Sequence, residues 1–465
     1  MVDPVVLSRA QFALTVIVHI VFPVLSMGLA PFLVYFTWKE IRTHEPVYEQ
    51  LRRFWARIFA ISFVTGTVTG IVLEFEFGTN WSEFSRAAGA VIAGPLATEG
   101  MMAFFLEAVF LGVFLFGRDR VSDRTYFASA FLTGLGSWLS ATWILIVNSW
   151  MQHPRGYQLV TRNGETVITL TDPIAAYANP RFFWEFVHMQ NSAVLSVALL
   201  IAGISAYYVW SGRATAFWER SLKSALAVMV VSAPFQVIHG DAYARHIANT
   251  QPEKFAAMEA VWETARYVPE YIIAFPTTLS QIFDPRAKEL VGIGIPGMAS
   301  WLASGGNPNA PITGLSEFAN VGTPPIAVVF WSFRIMVALG FWFIVLAFWG
   351  GYRWRTGELF EDRLLHKALM ASSVLGFIAV EFGWMVAEIG RQPWIIQGVM
   401  RTSEAVSPGL SGSDALLTFA GFAVGYFGLL VLVVYVLVRL VRRGPPAIQD
   451  GPDRHPGDQG VSTDD

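Results

Sequence analysis

Long apolar runs dominate the chain. Windows near 12–37, 56–77, 94–116, 127–150, 183–210, 222–240, 325–350, 368–388 and 415–441 are each long enough to cross about 30 Å of hydrocarbon as a helix. They predict an all-α integral membrane protein, a bundle of about nine transmembrane helices. An odd number of spans puts the termini on opposite sides of the bilayer. Short basic loops follow the first span (Lys39, Arg42, Arg52, Arg53, Arg57), the third (Arg118, Arg120, Arg124) and the fifth (Arg213, Arg220, Lys223). The same side carries Arg353, Arg355, Arg363 and Lys367 after the seventh span and Arg439, Arg442 and Arg443 after the ninth, whereas the second connection offers only Arg86. The positive-inside rule therefore predicts an outside N-terminus and a cytoplasmic C-terminus.

Four regions follow from this pattern. Residues 1–240 form a six-helix transmembrane part and 325–441 a three-helix part. Between them, 241–324 is polar, rich in Pro and Gly and longer than a connector needs to be; it reads as the only sizeable extramembrane element, and as an external one. The tail, 442–465, reads as disordered from Gly444 onward. The start, Met-Val-Asp-Pro-Val-Val-Leu-Ser-Arg, lacks the basic region and small-residue cleavage site of a removable signal peptide. No internal repeat is visible, which weighs against inverted-repeat transporter folds.

Composition agrees with lipid as the main solvent: 54% of residues are hydrophobic and only 14% charged, with a mean hydropathy of +0.47. A net charge of -3 gives no sign of nucleic-acid binding. The absence of Cys excludes disulfides, iron–sulfur clusters and thioether-linked haem, so any haem is held non-covalently.

Against this apolar background the ionisable residues inside spans stand out, because each costs about 2.5 kcal/mol or more to insert. They are His19, Glu74, Glu99, Glu107, His188, Arg334, Glu381 and Glu388, with Met336 as a soft donor. His19 alone on an apolar helix is either a hydrogen-bonded core residue or a ligand. His188 and Met336 together suit His/Met ligation of a low-spin haem. Arg334 could neutralise a haem propionate or pair with a buried glutamate. Glu99 and Glu107, eight apart with Ala103 midway, are expected along one side of the third span, where two carboxyls suggest a proton relay. Ser140 and Asn148 repeat the spacing on the fourth span, as a continuation of that track or as interhelical polar glue.

Depth groups them further. Counted from the outer end of each span, His19, Glu99, His188, Met336 and Glu381 fall in the outer half of the bilayer, with Glu107 deeper, on the way in from the cytoplasm. Eight histidines, mostly in loops or at span ends, are too few for a haem–copper oxidase, which needs about six within the membrane. Buried Glu and Arg alone would equally suit a proton-coupled transporter.

Several motifs are more specific: Leu-Ser-Arg-Ala-Gln-Phe-Ala-Leu-Thr at 7–15, Glu-Phe-Gly-Thr-Asn-Trp at 76–81, Glu-Gly-Met-Met-Ala-Phe-Phe-Leu-Glu at 99–107, Gln-Pro-Glu-Lys-Phe-Ala-Ala-Met-Glu at 251–259, Phe-Arg-Ile-Met at 333–336 and Gly-Arg-Gln-Pro-Trp at 390–394. Through them the chain resembles subunit I of the cytochrome bd-type quinol oxidases along essentially its whole length. The resemblance implies a terminal oxidase of the prokaryotic cell membrane that oxidises quinol, reduces O2 to water and generates proton motive force without pumping. It implies a low-spin haem b on His188 and Met336, and an oxygen site with a high-spin haem b and either haem d or a further haem b, served by His19, Glu99 and Glu381. Arg334, Arg391 and Trp394 are expected beside the cofactors. Quinol is expected at the outer loop, in its short form, near Lys254 and Glu259, which on sequence alone would read as a solvated pair. Protons are expected to arrive from the cytoplasm past Glu107 toward Glu99. A subunit II, and a small single-span subunit, are the implied partners. One departure is Phe377, where some members carry Trp four residues before the di-haem glutamate.

Overall fold

The computed structural model describes residues 3–162, 164–276 and 290–445. Among these, nine helices are long and apolar enough to cross a membrane: Pro4–Thr43, Pro46–Thr79, Ser82–Phe116, Asp123–Gln152, Pro173–Trp210, Ala216–Thr250, Ile326–Thr356, Arg363–Ile389 and Gly412–Arg443. Helices are what such sequences must form in lipid, where every backbone N–H and C=O has to be satisfied within its own segment. Their ends follow local chemistry. Asp3 accepts from the Val5 N–H at 2.8 Å ahead of Pro4, Asn179 caps the Pro180–Trp210 portion of the fifth span, and Ser411 caps the ninth.

The helices outrun the apolar windows. The sixth runs to Thr250, so the external region expected from 241 begins with its last turns, which hydropathy hides because Asp241, Arg245 and His246 are helical yet polar. Shorter structured connections accompany that region. A hairpin of β1 (Tyr157–Arg162) and β2 (Glu165–Leu170) joins the fourth and fifth spans. Between the sixth and seventh spans, β3 (Glu270–Pro276) pairs with β4 (Leu290–Ile295), and β5 (Trp394–Ile396) pairs with β6 (Met400–Arg401) between the eighth and ninth spans. The protein is thus helical in its spans with small sheets outside them. The tail expected to be disordered lies, beyond residue 445, outside the described residues.

Two spans are irregular where the candidate chemistry sits. The third contains a π turn over Glu99–Ala103, one turn after Pro95, whose ring cannot donate to the ladder. The eighth is split into Arg363–Ala371 and Leu375–Ile389; at the break Ser372 accepts from Trp342 Nε1 at 2.9 Å.

Small residues set the helix spacing, as is usual without a hydrophobic drive between helices in lipid. A Cβ at Gly28 would lie 2.3 Å from the Ala193 carbonyl, locking the first span onto the fifth. At Gly136 it would lie 2.7 Å from Glu107 Cβ, so the third and fourth spans touch backbone to backbone at the buried glutamate. Gly136→Ala is expected to destabilise by about 1–3 kcal/mol, read as a lower thermal unfolding midpoint. Gly112→Ala, on the third span where the glycine faces open space, is the control and is expected to have no such effect.

Candidate functional site

The third span carries the two glutamates that sequence places on one side. Eight residues of regular α-helix would leave them about 80° apart; the π turn absorbs one residue and brings the separation to about 20°. Both then reach the fourth span. Ser140 Oγ donates to Glu99 Oε1 at 2.6 Å, and Ser137 donates to Glu107 Oε1. Ser137 is one helical turn from Ser140 and is the residue that spacing arguments missed: serines are common in helices, and nothing in the sequence marks this one. Asn148 Nδ2 donates to Glu388 Oε1 at 2.8 Å, a polar contact between the fourth and eighth spans.

Three candidate ligands rest against glycines of facing helices. A Cβ on Gly70 would meet His19 Cε1 at 3.2 Å, one on Gly240 would meet His188 Cε1 at 3.2 Å, and one on Gly383 would meet Met336 Sδ at 3.1 Å. His19 Nδ1 is 2.8 Å from Thr69 Oγ1, whose own hydrogen goes to the Thr65 carbonyl at 2.9 Å. The hydroxyl therefore accepts from Nδ1–H, and Nε2 keeps its lone pair. The His188 ring stacks on His239, with centroids 5.7 Å apart, and its buried Nδ1 has no hydrogen-bond partner among the described residues. Glu381 Oε1 is likewise buried and unpartnered.

The fourth, fifth and eighth spans and the connection between the sixth and seventh meet in a buried polar cluster. Lys254 is fully buried; its Nζ donates to Gln152 Oε1 at 2.5 Å and to the Ala387 carbonyl at 2.9 Å. Burial pushes its ammonium well below the usual lysine range, and Arg181 and Arg391 nearby push the same way. Arg391 donates to Glu388 through Nη2, while its Nε and Nη1, also buried, have no partner among the described residues. Trp394, in β5, lies 5.3 Å from the Arg401 guanidinium.

Arg334 pairs with two glutamates. Nη2 donates to Glu259 Oε2 at 2.5 Å and Nη1 to Glu270 Oε1. Lys254 and Glu259 are thus not a solvated pair; both are buried and held by different partners. Glu270, at the head of β3, is a member of this site that sequence reasoning did not name, since it lies 64 positions from Arg334 in a loop without periodicity. Burial first, and the Glu259 carboxylate second, push its carboxyl up to about 8 against the pull of Arg334.

The donors present, an imidazole with a free Nε2, a second buried imidazole, a thioether, an unpartnered carboxylate and a guanidinium with spare N–H groups, are those that suit haem iron and haem propionates. Comparison with known proteins points the same way. The profile of the cytochrome bd terminal oxidase subunit I family matches residues 7–445. Cytochrome bd ubiquinol oxidase subunit 1 of Bacillus subtilis is 33% identical over 447 residues, covering 94% of each chain. Cytochrome bd-II ubiquinol oxidase subunit 1 of Escherichia coli is 32% identical, covering 96% of this chain and 98% of its own. The solved bd oxidase from Geobacillus thermodenitrificans superposes with a TM-score of 0.86 at 31% identity, covering 95% of this chain and 99% of that one. The chain belongs to the cytochrome bd terminal oxidase subunit I family.

Proposed function

We propose that this chain oxidises quinol at its outer loop and supports reduction of O2 to water at a di-haem site in the outer half of the membrane. Membership of the family already makes it part of a haem-binding quinol oxidase, a multi-pass membrane protein that works with a subunit II. The finer assignments are our reading: N-terminus outside and C-terminus in the cytoplasm; His188 and Met336 for a low-spin haem b; His19, Glu99 and Glu381 for a high-spin haem b and for haem d or a further haem b; and a small single-span subunit beside the heterodimer. When bound, the haems supply electron transfer and oxygen chemistry.

The protein's own groups handle protons and position. The observation that carries the quinol assignment is the Arg334 clamp, which ties the outer-loop carboxylates Glu259 and Glu270 to the helical turn bearing Met336. Two carboxylates on one guanidinium can take up a proton at the site without leaving an unpaired charge. Lys254, fixed between Gln152 and the Ala387 carbonyl, presents a second polar anchor. For protons coming from the cytoplasm, Glu107 with Ser137 and then Glu99 with Ser140 supply successive hydrogen-bonding stations. With quinol protons released outside and oxygen's protons drawn from inside, charge is separated without a pump.

Glu270 offers the test. A base that must be deprotonated to accept a quinol proton makes quinol oxidation faster as pH rises toward about 8, the value to which Glu270 is pushed. Glu270→Gln is expected to abolish that rise in quinol-driven oxygen consumption, leaving a flat profile from about pH 6.5 to 8.5. A variant that retains the native rise would remove Glu270 from the proton path.

A further inference from the structure

The β3–β4 hairpin of the outer loop has one face that water does not explain. Its register sets Ile273 opposite Ile293 and Phe275 opposite Val291, with Ile295 opposite Glu270. Ile273, Phe275, Val291, Ile293 and Ile295 are 47%, 56%, 66%, 72% and 47% exposed. The positions between them, Ala274, Gly292 and Gly294, are small, and Ala274 is buried. An antiparallel hairpin resting on a protein in water keeps polar side chains on its outer face. Here that face has none from 271 to 275 or from 291 to 295. In water it would be an association hazard.

Two contacts fix the hairpin's height. Glu270, the root of β3, pairs with Arg334, which lies eight residues into the seventh span, or about 12 Å below its outer end. Further along β3, the Phe275 ring is 5.2 Å from Trp331, a residue type that marks the membrane interface. The strand therefore climbs the outer part of a transmembrane helix. The helix's own exposed Val328, one turn from Trp331, continues the apolar surface.

We propose that the outward face of this hairpin lies in the outer leaflet, with lipid acyl chains packed against Ile273, Phe275, Val291, Ile293 and Ile295. The hairpin extends the lipid-facing belt of the seventh span upward and seats the Arg334–Glu259–Glu270 cluster at bilayer depth. The proposal depends on the spans crossing a membrane and is independent of where quinol is oxidised.

The chain has no native cysteine, so Ile293→Cys can carry one environment-sensitive fluorophore in the complete oxidase, assembled with a subunit II lacking accessible cysteines and placed in phosphatidylcholine nanodiscs. Ile273→Cys on the partner strand is the second site, and Asn309→Cys, exposed elsewhere in the loop, is the aqueous reference. A nitroxide carried high on the lipid acyl chain is expected to quench labels at 293 and 273 at least twofold more than the label at 309, with aqueous iodide giving the reverse order. Iodide quenching at 293 equal to that at 309 would place the face in water. Protection from both quenchers would place it against protein, whether subunit II or a second copy. Either result overturns the proposal.

Discussion

Glu107→Leu is expected to slow quinol-driven oxygen consumption by about 10²-fold, the lower end of what a positioned proton-transfer group contributes. Reduction of the haems by quinol under anaerobic conditions should proceed at the native rate. The expectation rests on where the carboxyl sits. Glu107 is buried, its Oε1 takes the Ser137 hydroxyl hydrogen, and Gly136 brings the fourth-span backbone against it. Leucine fills similar space and places no charge in the membrane, so the fold should survive. Ser137→Ala, which removes the donor and leaves the carboxyl, should cost much less, and Glu107→Gln should resemble Glu107→Leu because an amide cannot relay a proton. Stopped-flow haem reduction beside steady-state oxygen consumption separates the two half-reactions. Native turnover in Glu107→Leu would exclude a proton path through this residue.

Much of this site was legible before the fold was known, and the reasons differ by residue. The nine spans follow from hydropathy because lipid permits a spanning segment few other structures. His19, Glu99, Glu107, His188 and Arg334 stand out because an ionisable group in an apolar window is costly wherever it points. What sequence could not give is geometry set by exceptions to helical regularity. The π turn at Glu99–Ala103 rotates Glu107 back toward Glu99, and no propensity distinguishes it from ordinary helix. The break at Ser372–Val374 likewise hides inside an apolar window. Partner choice was also out of reach: Asn148 has the spacing to extend the Glu99 track, yet it faces the eighth span and Glu388. Glu270 is invisible for another reason, since only the tertiary fold of the loop carries it to Arg334.

The Arg334 clamp yields the largest expected effect on stability. Arg334→Leu leaves Glu259, which is buried, and Glu270, which is mostly so, side by side without a counter-charge. Removing one partner of a buried ionic cluster costs about 3–5 kcal/mol, and here a single guanidinium serves two acids. The loss should depend on pH, with a sign fixed by Glu270. Its carboxyl holds a proton in the folded protein up to about 8, against 4.5 when unfolded. The folded state therefore binds more protons between those values, and stability falls as pH rises through that window. Without the guanidinium both carboxyls, not Glu270 alone, lose their counter-charge, so the fall should steepen and the variant should be closest to native near pH 5 and weakest near pH 8. Arg334→Lys keeps the charge but cannot offer two N–H groups in a fixed fork, and it should recover only part of the loss. The triple variant Arg334→Leu, Glu259→Gln, Glu270→Gln removes both charges with their partner and should recover most of it. Thermal unfolding midpoints of the purified oxidase at fixed heating rate, measured from pH 5 to pH 8, decide the matter: an Arg334→Leu midpoint that tracks the native one across that range would mean that the clamp contributes nothing to holding Glu259 and β3 on the seventh span.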